Sequence, residues 1–183
     1  MTTFGKTLFA GLVIILGIIG WFIFDHYTQP VPEVAVVRSF EECVAAGYPV
    51  MESYPRQCRT KDGRSFTEDI GNSIEKADLI RLITPRPNEI VTSPLIVTGE
   101  ARGYWFFEAS FPVQILDARG NQIAVIPAQA QGEWMTEEFV SFRAELNFAT
   151  PLDSDTGTLV LEKDNPSGLP ENEDELHIPI KFR

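Results

Sequence analysis

Two cysteines and two histidines are the residues of this sequence best suited to chemistry, and their spacing limits what they can do. With so few cysteines and histidines, zinc clusters, iron–sulfur sites and multi-disulfide frameworks are excluded or nearly so. Cys43 and Cys58 are not in a C-x-x-C arrangement, and no histidine lies near them in sequence. His177 sits among the alternating apolar residues of a predicted strand, on the face that should point to solvent. A nucleophile with its base and orienting acid is therefore hard to assemble, and we expect no catalytic residue and no enzyme activity.

The cysteine pair predicts a structural disulfide inside a small segment, residues 39–70. Ser39 and Glu42 have the spacing of a capping box before a short helix that runs to Ala46, with Gly47 as its left-handed stop. The Asp-Gly turn at residues 62–63 then predicts a hairpin.

About 30 residues bury too little surface to be stable alone. A bridge between Cys43 and Cys58 would add roughly 3 kcal/mol by closing the loop between them. Disulfides persist outside the cytoplasm, so the pair also indicates an oxidising compartment. A protease-inhibitor loop that presents Arg56 ahead of Cys58 is the alternative, although inhibitor modules of this size usually carry several bridges.

Acidic residues outnumber basic ones by 26 to 15, which gives a net charge of −11. Nucleic-acid binding needs basic surface, so we expect no nucleic-acid partner. Asp153, Asp155 and Asp164 lie in acidic loops that could hold Ca²⁺ at one end of a sandwich. Their spacing matches no EF-hand, and solubility explains the acidic residues without a metal. Calcium remains a weak alternative, and we expect no metal and no cofactor.

An aromatic cluster at residues 104–107, followed later by Trp134, allows two interpretations. Large inward side chains fill the space between sheets, and Trp105 is the best candidate for that role. Strand alternation cannot bury four consecutive rings, however. Tyr104, Phe106 and Trp134 are therefore candidates for an exposed patch that binds a partner.

The run Leu8–Phe24 contains no charged or strongly polar residue and predicts a transmembrane helix. Lys6 precedes it, so the positive-inside rule leaves the N-terminus in the cytoplasm and the rest of the chain outside. A cleaved signal peptide is the alternative, but no small-x-small site follows the run. Pro30 and Pro32 then indicate an extended linker.

The last hundred residues have the pattern of an all-β protein. Short apolar stretches with period-two alternation are separated by turn residues, and no helical period appears. An antiparallel sandwich of about seven strands is the architecture that this pattern favours. The predicted strands lie near residues 79–83, 95–99, 105–116, 122–130, 139–148, 158–163 and 175–182.

Residues 79–183 resemble the immunoglobulin-like domain associated with bacterial spore-germination proteins. The resemblance is carried by the stretches IVTSPL (90–95), VTGEARG (97–103), WFFEASFPV (105–113), GEWM (132–135) and KDNPSGL (163–169). It implies an extracytoplasmic β-sandwich and no particular activity, because the family has no assigned catalytic residues to carry over. It does not imply sporulation.

The sequence thus predicts five regions. They are a cytoplasmic stub and membrane anchor at 1–27, a linker at 28–38, the cysteine-stapled helix and hairpin at 39–70, a connector at 71–78 and the immunoglobulin-like domain at 79–183. We expect a single-pass protein of the cytoplasmic membrane with an extracytoplasmic C-terminal domain. Its expected role is non-catalytic binding or scaffolding in the cell envelope, with a protein or cell-wall partner. A secreted accessory or inhibitor module, released by signal-peptide cleavage, is the alternative.

Overall fold

The computed structural model describes Trp21 and residues 36–183. The chain divides into two compact units, Met1–Arg38 and Ser39–Arg183. Residues 39–70 and 79–183 therefore belong to the same unit. The predicted anchor and most of the predicted linker lie outside the described residues. Within the described part of the chain, no helix has the length and apolar character needed to cross a membrane.

The first element of the larger unit is helix α1, Phe40–Ala45. The Ser39 side chain accepts a hydrogen bond from the Glu42 backbone N–H at 3.2 Å, which satisfies one of the free donors at the helix start. Gly47 has φ = 76°, a left-handed conformation that ends the helix at low steric cost. The predicted cap and stop are confirmed, and the helix ends one residue before the predicted Ala46.

A three-stranded antiparallel sheet follows α1, in the order β1–β2–β3. Its strands are β1 (Val50–Met51), β2 (Gln57–Arg59) and β3 (Ser65–Thr67). The predicted hairpin is β2–β3, whereas β1 is too short to show alternation in the sequence. Cys43 of α1 and Cys58 of the central strand form a fully buried disulfide, which confirms that prediction. We call residues 39–70 the stapled segment.

The rest of the unit, which we call the sandwich, is a hydrogen-bonded array of eight strands in the order β4–β6–β9–β8–β7–β10–β11–β5. Strand β8 pairs along its length with β7 and meets β9 only through its last two residues, so the array folds over on itself around one core. The strands are β4 (Ile80–Thr84), β5 (Ile90–Val91), β6 (Leu95–Arg102), β7 (Ser110–Asp117), β8 (Gln122–Ala130), β9 (Phe139–Leu146), β10 (Thr156–Glu162) and β11 (Glu175–Phe182).

The predicted all-β fold is confirmed, with two corrections to its strands. There are eight strands and not about seven, because the two-residue β5 pairs in parallel with the end of β11. The predicted strand at 105–116 begins too early. Trp105 ends a 3₁₀ turn, Gly103–Trp105. Glu108 and Ala109 then have φ = 48° and 61°, which closes a tight turn before β7.

The core lies between the two halves of the array and is built by alternation. Every second residue of β6, β7, β9 and β11 is buried, as expected for strands with one solvated face. Trp105 is fully buried in this core, which confirms its predicted position. The largest fully buried side chains include Trp105, Phe111, Phe142, Ile80, Ile115, Leu146, Leu159 and Ile178.

The connector at 71–78 joins the stapled segment to the sandwich by lying along the edge of β11. The Asn72 backbone N–H donates to the His177 carbonyl at 3.3 Å, and the His177 backbone N–H donates to Asn72 Oδ1 at 2.7 Å. Asn72 Nδ2 also donates to the Glu175 carbonyl at 2.9 Å. Gly71 has φ = 63°, and a Cβ there would lie 1.8 Å from the His177 carbonyl oxygen. Only glycine therefore permits this close approach.

Candidate binding cleft

The aromatic patch predicted from the sequence does not form as a unit. Tyr104 is 50% exposed, but Phe106 is only 4% exposed and Trp134 is half-buried against the core. The prediction for Phe106 is wrong because it assumed one straight strand from Trp105 onward. The 3₁₀ turn and the tight turn at 107–110 change the direction of the chain. Phe106 therefore packs edge-on against Phe111, with 5.1 Å between ring centroids.

The three aspartates considered for calcium are not brought together. Asp153 pairs with Arg119 at 2.9 Å. Asp164 uses its backbone N–H to reach the Trp105 carbonyl at 3.0 Å, and burial together with the nearby Glu108 carboxylate raises the pKa of its side chain. In residues 36–183, no group of three or more acidic, histidine or cysteine side chains could hold a metal ion. The calcium interpretation, including Asp155, finds no geometric support.

A concave surface lies between the stapled segment and the sandwich. It has a volume of ≈ 710 Å³, within the range of about 300–1,000 Å³ that ligand sites usually occupy. We call it the cleft. Its lining residues come from the β1–β2 connection, the end of the hairpin, β4 and the turn that follows β4: Glu52, Tyr54, Arg56, Glu68, Ile70, Leu82, Ile83, Arg86, Pro87, Asn88 and Glu89.

An ion pair between Arg56 and Glu68 forms one wall of the cleft. The β2–β3 register places the two residues opposite each other, and the Glu68 backbone N–H donates to the Arg56 carbonyl at 2.9 Å. Arg56 Nε and Nη2 donate to the two Glu68 carboxylate oxygens at 2.8 and 2.5 Å. The Arg56 guanidinium also lies 5.4 Å from the centre of the Phe40 ring. The pair thus connects α1 to the hairpin.

The ion pair stabilises the ionised form of the buried Glu68 carboxylate. The hydrogen bonds from Arg56 hold the pKa of Glu68 below its ordinary value, against the opposing effect of burial. The same contact raises the pKa of Arg56. Because its guanidinium is engaged by Glu68, Arg56 is not a free loop residue of the kind that an inhibitor presents to a protease. The inhibitor-loop interpretation of Arg56 therefore loses its main support.

Hydrogen bonds of Asn88 connect this wall to the sandwich. Its backbone has φ = 62°, and its N–H donates to the Pro179 carbonyl of β11 at 2.7 Å. Its side-chain Nδ2 donates to the Asp69 carbonyl at 2.6 Å and reaches Glu68 Oε1 at 3.5 Å. The stapled segment is therefore held against the sandwich by directed polar contacts, and the two walls of the cleft are fixed relative to each other.

The rim of the cleft carries exposed apolar side chains. Tyr54, from the stapled segment, is 66% exposed, and Ile83, from β4, is 63% exposed. Leu82, also in the lining of the cleft, is half-buried and packs against the core. An apolar surface with a few convergent polar groups is the usual composition of a binding site. The sequence analysis considered Arg56 only as an inhibitor-loop residue and did not single out Tyr54, Leu82 or Ile83. The hairpin register around the Asp-Gly turn could have placed Arg56 opposite Glu68.

Fold and cleft together define an all-β, immunoglobulin-like sandwich that carries a disulfide-stapled segment on one side. Residues 79–168 match the family model for the immunoglobulin-like domain of bacterial spore germination. The resemblance stated from the sequence is confirmed. No curated protein and no solved structure matches the chain. The match ends before β11, which pairs with β10 as the neighbouring strand.

Replacing Glu68 with glutamine should lower the free energy of unfolding by about 1–3 kcal/mol at neutral pH, because Arg56 loses its charged partner. The value should fall toward the lower end of that range because the Arg56 side chain is 49% exposed. A carboxylate with a lowered folded-state pKa stabilises the protein above its unfolded pKa of about 4.3. This contribution is lost as the pH falls through the folded-state pKa. The difference between wild type and Glu68→Gln should therefore shrink on acidification, as measured by urea unfolding across a pH series.

Glu137→Gln is the matched control, since Glu137 is exposed and its carboxylate has no ion pair among residues 36–183. It should change stability by less than about 0.5 kcal/mol at any pH. A Glu68→Gln effect that stayed constant from neutral to acidic pH would show that the charge of Glu68 does not stabilise the fold.

Proposed function

We propose that this protein is a non-catalytic binding protein of the cell envelope, anchored in the cytoplasmic membrane by its N-terminal apolar run. The observation that carries the binding role is the cleft. The Arg56–Glu68 pair fixes one wall, and Asn88 connects that wall to the sandwich, so the surface is formed before any partner arrives. Preorganisation of this kind lowers the entropic cost of association.

The proposed location is supported by two independent features of the chain. The run Leu8–Phe24 is long and apolar enough for a membrane-spanning helix. The Cys43–Cys58 disulfide is buried and belongs to a segment of about 30 residues, which is too small to bury a sufficient core by itself. Disulfides of this structural kind persist in oxidising compartments, which agrees with residues 39–183 lying outside the cytoplasm.

Fractionation and cross-linking of the full-length protein in a bacterial host test both parts of the proposal. We expect the protein in the membrane fraction, and we expect protease added to spheroplasts to digest its C-terminal region. A photo-cross-linking residue at Tyr54 in the cleft should give an adduct in intact cells. The same residue at Val125, which is exposed on β8 and does not line the cleft, should give none.

Recovery of a shortened protein in the medium would contradict the anchor and favour the secreted alternative. A C-terminal region protected from protease in spheroplasts would contradict the extracytoplasmic location. Equal adducts at Tyr54 and Val125 would contradict the assignment of binding to the cleft.

A further inference from the structure

We propose that the cleft binds an extended, basic segment of a partner protein, which adds as a strand to the free edge of β4. This inference rests on the proposed binding function and names the chemistry of the partner. In recognition of this kind, main-chain hydrogen bonds align the peptide, and alternate side chains provide specificity.

The first step of the argument is that β4 is an edge strand. It pairs with β6 on one side and is the terminal strand of the array, with no strand hydrogen-bonded to its other side among the described residues. Strand edges present unpaired backbone groups, which readily pair with another chain. The free side of β4 faces the cleft, since both Leu82 and Ile83 line it.

The hydrogen-bond pattern identifies which backbone groups of β4 are available. The Arg102 N–H donates to the Leu79 carbonyl at 2.8 Å, so Leu79 and Arg102 form a hydrogen-bonded pair. Such pairs alternate along antiparallel strands. Leu82, opposite Gly99, therefore belongs to a non-hydrogen-bonded pair, and its N–H and C=O point away from β6. Outside the β4–β6 pairing, neither group has a backbone partner among residues 36–183.

The available edge is short. At one end, the Ile80 N–H, which points to the same side, already donates to the Lys76 carbonyl at 2.9 Å. At the other end, the register shifts between Leu82 and Thr84. Bulges and short edges limit indiscriminate pairing. The edge thus offers one pair of hydrogen bonds at Leu82, and side-chain contacts must supply the rest of the affinity.

Apolar side chains on the two walls of the cleft can supply those contacts. Ile83 and Tyr54 are largely exposed on opposite walls of the cleft. Successive side chains of an added strand would point alternately toward and away from this apolar surface. A segment with an apolar residue at every second position would bury its apolar side chains against Ile83 and Tyr54.

The charges around the cleft select a basic segment. Arg56 and Glu68 neutralise each other. Of the charged side chains that line the cleft, Glu52, Glu89 and Arg86 have no ion pair within the described part of the chain. Two carboxylates against one guanidinium leave the rim negative. The net charge of −11 adds a long-range field of the same sign. Such a field raises the association rate of a positively charged partner and disfavours an acidic one.

The test uses the full-length protein in detergent and a labelled synthetic peptide of about nine residues that alternates valine with lysine. Fluorescence anisotropy should show saturable binding. Methylation of alternate peptide nitrogens, on the edge that would face Leu82, should weaken binding by about tenfold or more because a main-chain hydrogen bond is lost. Replacing the lysines of the peptide with glutamates should weaken binding by a similar factor.

Two protein variants locate the binding edge. Ile83→Lys places a positive charge on the wall of the cleft and should reduce affinity for the lysine peptide by about tenfold. Val125→Lys is the matched control, because Val125 is 53% exposed on β8 and lies outside the part of β8 that pairs with β9. It should leave affinity unchanged. Both positions are exposed, so both variants should fold.

Equal binding of the methylated peptide would overturn strand addition, and loss of binding in Val125→Lys but not in Ile83→Lys would move the site to β8. Binding of soluble cell-wall glycan fragments in place of any peptide would overturn the proposed partner class. If every peptide fails while the Tyr54 cross-link forms in cells, strand addition is wrong and the proposed binding function stands. If the cross-link and the membrane location both fail, the proposed function falls as well.

Discussion

Replacing Phe106 with serine should destabilise the protein by about 3–5 kcal/mol, the usual cost of truncating a buried aromatic ring. The ring is 4% exposed and contacts Phe111 in the centre of the core. Serine would leave a cavity and would bury a hydroxyl group in an apolar site without a hydrogen-bond partner. Both effects lower the free energy of unfolding. Urea unfolding of the purified protein measures the change directly.

Tyr104→Ser is the matched control for Phe106→Ser, because it removes an aromatic ring two residues away from a position that is 50% exposed. It should change the free energy of unfolding by less than about 0.5 kcal/mol. If Phe106→Ser proved as mild as Tyr104→Ser, Phe106 would belong to an exposed surface and not to the core.

Removal of the disulfide by Cys43→Ser together with Cys58→Ser should cost about 3 kcal/mol, the value expected from closing a loop of this length. Both sulfurs are buried between α1 and β2, so the variant also places two hydroxyl groups in an apolar site. The loss should be local. Hydrogen exchange should increase most in α1 and the three-stranded sheet, whereas β6, β7 and β9 should stay protected.

Wild-type protein treated with a reductant provides the control for the cysteine substitutions. It should reproduce the increase in hydrogen exchange without the cost of the serine hydroxyls. Binding to the cleft should weaken in both samples, because Tyr54 and Arg56 are positioned by the stapled segment. Unchanged exchange in α1 after reduction would show that packing alone maintains the stapled segment.

Local signals in the sequence predicted local structure well. The Ser39 cap and the Gly47 stop depend on residues within one or two turns of the helix, and both appear in the structure. The Asp-Gly turn predicted the β2–β3 hairpin in the same way. Strand positions followed from alternation, since the period of two reports which side chains face the core.

The errors occurred where the chain changes direction without a strong turn signal. Glu108 and Ala109 adopt positive φ values, which are usually associated with Asn-Gly or Asp-Gly. Their residue types therefore gave no turn signal in the sequence. The straight strand expected from Trp105 onward placed Phe106 on the outer surface. Tertiary packing of Phe106 against Phe111 favours the turn in spite of its local cost.

The sequence by itself determined the all-β class, the family resemblance of the sandwich and the disulfide, and it predicts a membrane anchor. Each of these depends on composition, on short-range patterns or on the pairing of two residues. The tertiary structure alone decided the cleft, because Arg56, Asn88 and Leu82 come from separate segments. Their approach depends on how the connector packs along β11 and on which backbone groups β6 leaves free on β4. Such long-range packing has no periodic signal along the chain.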